Sequence, residues 1–232
     1  MQHLTHRVLA GAVPIGGGTP VTVQSMTNTD TRNAAATISQ ILELERAGCD
    51  IVRVSVYDLA CAQAIPSIRS AIHIPLVADI HFDHRLAIAA VENGVDKLRI
   101  NPGNIGGQAH VEKLVDCVNS HHIPIRIGVN AGSMEQDLKR AYGPDSPHAM
   151  VESAIRHIRM LERAHFTDIV VSLKSSTVST TVSAYRELAR LVDYPLHIGI
   201  TETGTVERGI IKSAIGIGSL LLDGIGAVSY TH

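Results

Sequence analysis

Residues 75–107 read PLVADIHFDHRLAIAAVENGVDKLRINPGNIGG, and the order of elements in this stretch decides the fold class. The apolar run at 76–80 predicts a strand that ends among Asp79, His81 and Asp83. Residues 85–92 carry apolar side chains at helical spacing and stop at Asn93-Gly94. Residues 96–100 predict a second strand, followed by Asn101 and the turn Pro102-Gly103-Asn104. Strand, helix and strand, with polar residues gathered at the strands' carboxyl ends, is the pattern of a parallel α/β barrel. Such a barrel builds its sites on the loops that follow its strands.

Working outward, the same unit recurs. Strands are predicted to begin near residues 21, 51, 76, 96, 124, 168 and 196, with helices at 34–47, 59–71, 85–92, 108–120, 148–164, 178–191 and 206–222. An insertion at 133–142 ends at Gly143-Pro144. An eighth strand is due near residue 226, where the chain closes with Ala-Val-Ser-Tyr-Thr-His. The fold class is therefore a TIM-type (β/α)8 barrel, truncated at or within its eighth strand. That cut is expected to leave the edges of the first and seventh strands exposed and prone to association. An open doubly wound sheet is the alternative, although no GxGxxG follows the first strand. Before the barrel, two β-type runs flank Gly16-Gly17-Gly18 and predict a hairpin. It reads as a lid on the barrel floor, since the glycines lack the GxxxxGK(S/T) phosphate-loop pattern. The expected organisation is a hairpin at 1–20, a diphosphate-binding barrel at 21–226 and a non-native tail at 227–232.

Composition narrows the class. With 45% apolar but only 3% aromatic residues, the core must be built from Val, Ile, Leu and Ala. A formal net charge of −2 argues against general attraction to nucleic acid or membrane surfaces. Neither an 18-residue apolar run nor a secretory leader is present, so a cytoplasmic protein is expected. Cys49, Cys61 and Cys117 form no CxxC pair and read as structural residues.

The chemistry lies at the strand ends. Arg53 sits in IVRVSV, Arg99 in KLRIN and Arg126 in PIRIGV, each a cation embedded in an apolar strand; Lys174 ends the sixth strand. A desolvated, unpaired guanidinium costs several kcal/mol, so each needs an anion. Asp79 and Glu202 are the carboxylates at hand, fewer than the four cations, and the surplus predicts a multiply charged anion such as a phosphorylated or diphosphate ligand. The competing reading is a core network in which each cation pairs with a neighbouring acid. Asn101 and Asn130 end the fourth and fifth strands beside these cations. His81 is an acid, a base or a simple hydrogen-bonder, and Glu202 an ion-pair partner or a proton donor. Metal ligation by Asp79, His81 and Asp83 is opposed by the surrounding positive charge. The Asn101–Gly107 turn either offers its N–H groups to a phosphate or merely turns the chain.

The motifs VTVQSMTNTDT, IVRVSV, LVADIHFD, KLRINPGNIG, IPIRIGVNAGS, VVSLKSS and HIGITETG, in this order over residues 6–226, resemble the barrel domain of the 4-hydroxy-3-methylbut-2-enyl diphosphate synthase family of the bacterial non-mevalonate isoprenoid pathway. The resemblance implies an oxidoreductase that opens 2-C-methyl-D-erythritol 2,4-cyclodiphosphate with two electrons. Those electrons pass from flavodoxin or ferredoxin through a 4Fe-4S cluster, and the parent enzyme is a homodimer. It implies that Arg53, Arg99, Arg126 and Lys174 hold the diphosphate, with Asn101 and Asn130 beside them. Asp79, His81 and Glu202 would face the ring, Glu202 as proton donor. The family's cluster ligands lie in a C-terminal domain that this sequence lacks, so substrate binding without turnover is expected. The last residues, Val-Ser-Tyr-Thr-His, resemble the product of a sequencing-transposon end. A pterin-binding barrel resembling dihydropteroate synthase is the alternative enzyme, although its Asn-Val-Thr-Pro-Asp-Ser-Phe signature is replaced here by Ser-Met-Thr-Asn-Thr-Asp-Thr. A non-catalytic anion-binding barrel is the third reading.

Overall fold

The structure is a computed structural model that describes residues 3–201 and 204–230. Eight parallel strands make one sheet: β3 (Thr22–Met26), β4 (Ile51–Ser55), β5 (Leu76–Asp79), β6 (Lys97–Ile100), β7 (Ile125–Asn130), β8 (Ile169–Lys174), β9 (His197–Ile198) and β10 (Val228–Tyr230). The spatial order is β8-β7-β6-β5-β4-β3-β10-β9, and a parallel bridge between Val171 and Leu196 joins the two ends. The sheet thus curls into a nearly closed (β/α)8 barrel rather than staying open.

Around it lie α1 (Ala34–Arg46), α2 (Leu59–Ala71), α3 (His84–Glu92), α4 (Gln108–His121), α5 (Gln136–Tyr142), α6 (Pro147–Arg163), α7 (Val178–Leu188) and α8 (Val206–Leu222). Local chemistry starts several of them. Asn33, Asp58 and Asp83 accept hydrogen bonds from the backbone N–H groups of Ala36, Cys61 and Arg85. Ser146 caps α6, and Pro147 takes a first-turn position whose missing N–H costs nothing. The main core, between sheet and helices, is built from aliphatic side chains such as Ile65, Leu98, Leu114, Ile127 and Leu161. Successive helices pack side by side from α1 through α4, then α4 on α6, α6 on α7 and α7 on α8.

Three expectations are corrected. First, β10 pairs on both sides, Val228 with Thr22 of β3 and with His197 of β9. The edges of the first and seventh strands are therefore covered. Strand pairing depends on register rather than on side-chain type, and three residues suffice here. Second, the seventh strand, expected to begin near residue 196, is only a two-residue ladder, His197–Ile198. Tyr185 compensates: its buried hydroxyl donates to the His197 carbonyl and accepts from the Leu173 N–H, tying β9 to β8. Third, the hairpin turns not at Gly16-Gly17-Gly18 but at Gly11-Ala12, between β1 (Arg7–Ala10) and β2 (Val13–Gly16). Gly11 has φ +54° and sits where a Cβ would lie 2.9 Å from an Asp96 carboxylate oxygen, so glycine suits the corner. The hairpin's Val8, Ala10 and Ile15 join Ile51, Val77, Val170 and Val228 in a second apolar cluster that seals the barrel floor.

Candidate functional site

Parallel register carries the polar residues to one place. Ser55 of β4 aligns with Asp79 of β5, Asp79 with Arg99 of β6, and Arg99 with Arg126 of β7. On β8 the alternate residues Ser172 and Lys174 lie opposite Gly128 and Asn130. Alternation along each strand sends these side chains to the lumen, where they meet near the carboxyl ends.

Asp79 is the hub. Its Oδ1 accepts from Arg99 Nη1 at 3.0 Å, and its Oδ2 lies 3.7 Å from Arg53 Nε and 3.5 Å from His81 Nε2. Burial opposes its charge, but the adjacent His81 ring and the Arg99 and Arg53 guanidiniums outweigh that and hold its carboxyl well below the usual range. Asp79 is thus a permanent anion shared by two arginines. Arg53 also rests against the Met26 sulfur, with Nη2 at 2.8 Å. Arg126 is fully buried. Its Nη1 donates to the Ser172 hydroxyl at 2.8 Å, and among the described residues it has no carboxylate partner. Burial first, then Arg126, Arg53 and Arg99, push the Lys174 amine well below its ordinary value. Nε of Arg99 and Nε of Arg126 are buried donors with no hydrogen-bond partner among the described residues. Leaving such donors unmet costs about 1–3 kcal/mol each.

Seven of the nine sequence-predicted residues, Arg53, Asp79, His81, Arg99, Arg126, Asn130 and Lys174, line a single cavity of about 100 Å³ with Ser172 and Thr201. A basin of about 490 Å³, bordered by Asn130, Lys139, Asp145, Lys174, Ser175 and Thr201, opens beside it. Asp145 in this basin accepts from the hydroxyls of Ser175 and Thr177 at 3.0 and 3.1 Å. Asn101 stands apart: its buried side chain turns back to accept from the Gly103 N–H at 3.2 Å, shaping its own loop. Glu202 lies outside the described residues.

Below the cavity the lumen holds further charge that residue type alone did not reveal. Lys97 is wholly buried, with its Nζ 3.1 Å from the Gln24 side-chain oxygen, and burial followed by Arg126 and Arg53 lowers its pKa far below the ordinary amine value. His197 is also wholly buried, and burial followed by Arg126, Lys174 and Lys97 keeps its ring neutral. The available signal was parity: Lys97 lies two residues before Arg99 and shares its face.

The cysteines cannot hold a cluster together. Cys49 precedes β4 with its thiol donating to the Ile51 carbonyl, Cys61 is on α2 and Cys117 on α4, and burial raises the pKa of all three. Among the described residues no three His, Cys, Asp or Glu side chains come together as metal ligands. No described helix is long and apolar enough to cross a membrane.

Comparison with known proteins sets this geometry in a family. The chain is 60% identical over 222 residues to a Nitratidesulfovibrio vulgaris protein named 4-hydroxy-3-methylbut-2-en-1-yl diphosphate synthase (flavodoxin), covering 96% of this chain and 58% of the relative. A Caldanaerobacter subterraneus protein of the same name is 55% identical over 226 residues, covering 97% of this chain and 64% of the relative. The chain therefore spans about three fifths of these relatives' length. Among solved structures, Yersinia pestis dihydropteroate synthase superposes with a TM-score of 0.69 at 10% identity, covering 99% of this chain and 92% of that one. Geobacillus kaustophilus 3-dehydroquinate dehydratase gives 0.67 at 15%, covering 100% and 89%. At such identities the likeness is one of fold alone. The family described as GcpE TIM-barrel domain matches residues 5–231, nearly the whole sequence, and the chain belongs to that family.

Proposed function

We propose that this chain is the substrate-binding barrel of a 4-hydroxy-3-methylbut-2-en-1-yl diphosphate synthase, holding 2-C-methyl-D-erythritol 2,4-cyclodiphosphate for reductive ring opening in isoprenoid synthesis. One observation carries the reading. Four cationic side chains from four strands converge around a single buried carboxylate, and two of their guanidinium donors remain unmet. A diphosphate supplies the missing acceptors, and guanidinium forks match its oxygens.

In this reading Arg53, Arg99, Arg126 and Lys174 hold the diphosphate. Asn130 hydrogen-bonds beside it, and Asn101 sets the loop that frames the mouth. Asp79 positions rather than reacts, because a carboxyl held so firmly ionised is a poor proton carrier at neutral pH. His81, about half exposed at the rim, faces the ring with Asp79 behind its Nε2 and Arg99 Nη1 at 3.4 Å from its Nδ1. Glu202 is the proposed proton donor. The two electrons come from flavodoxin or ferredoxin through a 4Fe-4S cluster. This chain's own cysteines do not fit that cluster, so its ligands belong to the further length of the longer relatives.

Calorimetric titration with the cyclodiphosphate and with a pterin diphosphate tests the reading. Saturable heat with the first and none with the second is expected; the reverse would establish the pterin barrel instead. The 232-residue chain is expected to bind without turnover, and measurable reduction by it alone would contradict that division of labour.

A further inference from the structure

Three segments meet at one imidazole. His157 on α6 is buried, and its Nε2 lies 3.2 Å from Oε1 of Glu135, the residue before α5. From the other side the turn after β6 rests on the same nitrogen. A Cβ added to Gly103 would stand 2.6 Å from Nε2 and 3.3 Å from Cδ2 of His157. Gly103 is not in the left-handed region, so glycine serves here for space rather than for backbone conformation. Its N–H donates to the Asn101 side chain, and Gln108 Nε2, just past the turn, donates to the Met160 carbonyl of α6 at 3.3 Å. Helix α6 is thus a common strut under the Asn101–Gly107 turn and the insertion after β7.

That strut holds one wall of the basin. Between Asn130 and Glu135, Ala131–Ser133 forms a 3-10 turn, and Lys139 Nζ of α5 donates to the Gly132 carbonyl at 2.8 Å. Asn130, Ala131, Gly132 and Lys139 all border the basin of about 490 Å³. Apolar packing is enough to anchor an insertion, and the buried Met134 and Leu138 supply it. Burying a His–Glu pair beside them costs desolvation and leaves His157 Nδ1 with no hydrogen-bond partner among the described residues. Such a cost is out of place in an anchor and fits a pair that fixes where two loops stand.

We propose that Glu135 and His157 are positioning residues that clasp the β6 turn to the insertion after β7, and so set the basin wall met by a ligand longer than pyrophosphate. The cations that hold the phosphates sit on the strands themselves, outside the clasp. The cavity among them, about 100 Å³, seats a diphosphate but not the carbon ring joined to it. The basin continues from that cavity and shares Asn130, Lys174 and Thr201 with it. The inference rests on the diphosphate reading and adds a division of labour: charge holds the phosphates, and the clasp shapes the space for the rest of the ligand.

The test is a pair of calorimetric titrations, with pyrophosphate and with the cyclodiphosphate, on the 232-residue chain and its variants. Glu135→Ala removes the clasp, and Gly103→Ala pushes the His157 ring off it from the opposite side. Each should weaken the cyclodiphosphate more than tenfold while leaving pyrophosphate within threefold of the parent. Glu135→Gln keeps an oxygen at the Oε1 position and should bind both ligands within threefold. The Glu135→Ala/Gly103→Ala double variant should lose no more than either single one, since both act through one ring. Equal loss of the two ligands would make the pair a general structural support and overturn the proposal, as would unchanged cyclodiphosphate binding in both single variants. A parent chain that binds neither ligand overturns the diphosphate reading and this proposal with it. A parent that binds both, with variants that do not separate them, overturns this proposal alone.

Discussion

Gly128 on β7 offers a way to move a site cation without changing any charge. Its backbone is not in the left-handed region, so alanine is tolerated conformationally. A Cβ there, however, would lie 2.5 Å from Arg99 Nε, 2.8 Å from Nη2 and 3.0 Å from Cζ. Ordinary contact begins near 3.4 Å, so the guanidinium must retreat by about 1 Å. Its Nη1 now donates to Asp79 at 3.0 Å; a retreat of that size carries the pair to about 4 Å, past hydrogen-bond reach. A charge-assisted hydrogen bond is worth roughly 1.5–3 kcal/mol, and the buried carboxylate recovers part of that from Arg53 and His81. A net loss near 2 kcal/mol lowers the melting temperature by about 4–8 °C in a domain of this size. Pyrophosphate affinity should fall at least tenfold, about 1.4 kcal/mol, because one of four cations is misaligned. Calorimetry gives both numbers on the same variant. Arg99→Ala and the double variant complete a cycle in which the two effects should fail to add, since both act through one guanidinium. Affinity within twofold of the parent and a melting temperature within about 1 °C would refute the reasoning.

Other outcomes follow from the same electrostatics. Arg126→Met removes a buried guanidinium that has one hydroxyl partner and repelling neighbours, so the ligand-free protein should be unchanged or stabilised by up to about 2 kcal/mol while pyrophosphate binding is lost; a clear drop in melting temperature would show that Arg126 is structurally satisfied. Asp79 has a depressed folded pKa, and Glu135 is held down to about 2, its burial outweighed chiefly by His157, whose Nε2 lies 3.2 Å from its Oε1. The stability these carboxylates contribute is complete above their unfolded values, about 3.9 and 4.3, and disappears as pH falls through the folded ones. Melting temperature measured between pH 2 and 7 should therefore fall only below about pH 4.5, and Asp79→Asn should flatten the lower part of that curve. Tyr185→Phe strips one partner from both the Leu173 N–H and the His197 carbonyl, and should cost about 2–4 kcal/mol by chemical denaturation; a loss under 0.5 kcal/mol would mean that β9 is held by other contacts.

How much of this was legible beforehand depended on whether the cause was local. Arg53, Arg99 and Arg126 announced themselves because a cation inside an apolar strand is expensive wherever that strand goes. Lys97 sits in the same strand as Arg99, but only with the register known does it become a lumen residue rather than a strand-starting charge. His197 falls within the seventh strand that the sequence predicts, and only the closed lumen shows that its ring is buried there. Position alone groups Asn101 with the cations, yet its amide oxygen is taken up by its own turn at Gly103. Three adjacent glycines at 16–18 signal a turn more loudly than Gly11 does, whereas the pairing of Ala10 with Val13 is settled by packing on the barrel floor.

Sequence by itself determined the repeating βα order and the carboxyl-end placement of charge, since side-chain periodicity and the cost of burying ions act within a few residues. Only the tertiary structure decided that Asp79 serves two arginines at once and that Val228–Tyr230 completes the sheet. Those outcomes depend on how distant segments meet when the sheet curls, and no short stretch of chain encodes that closure.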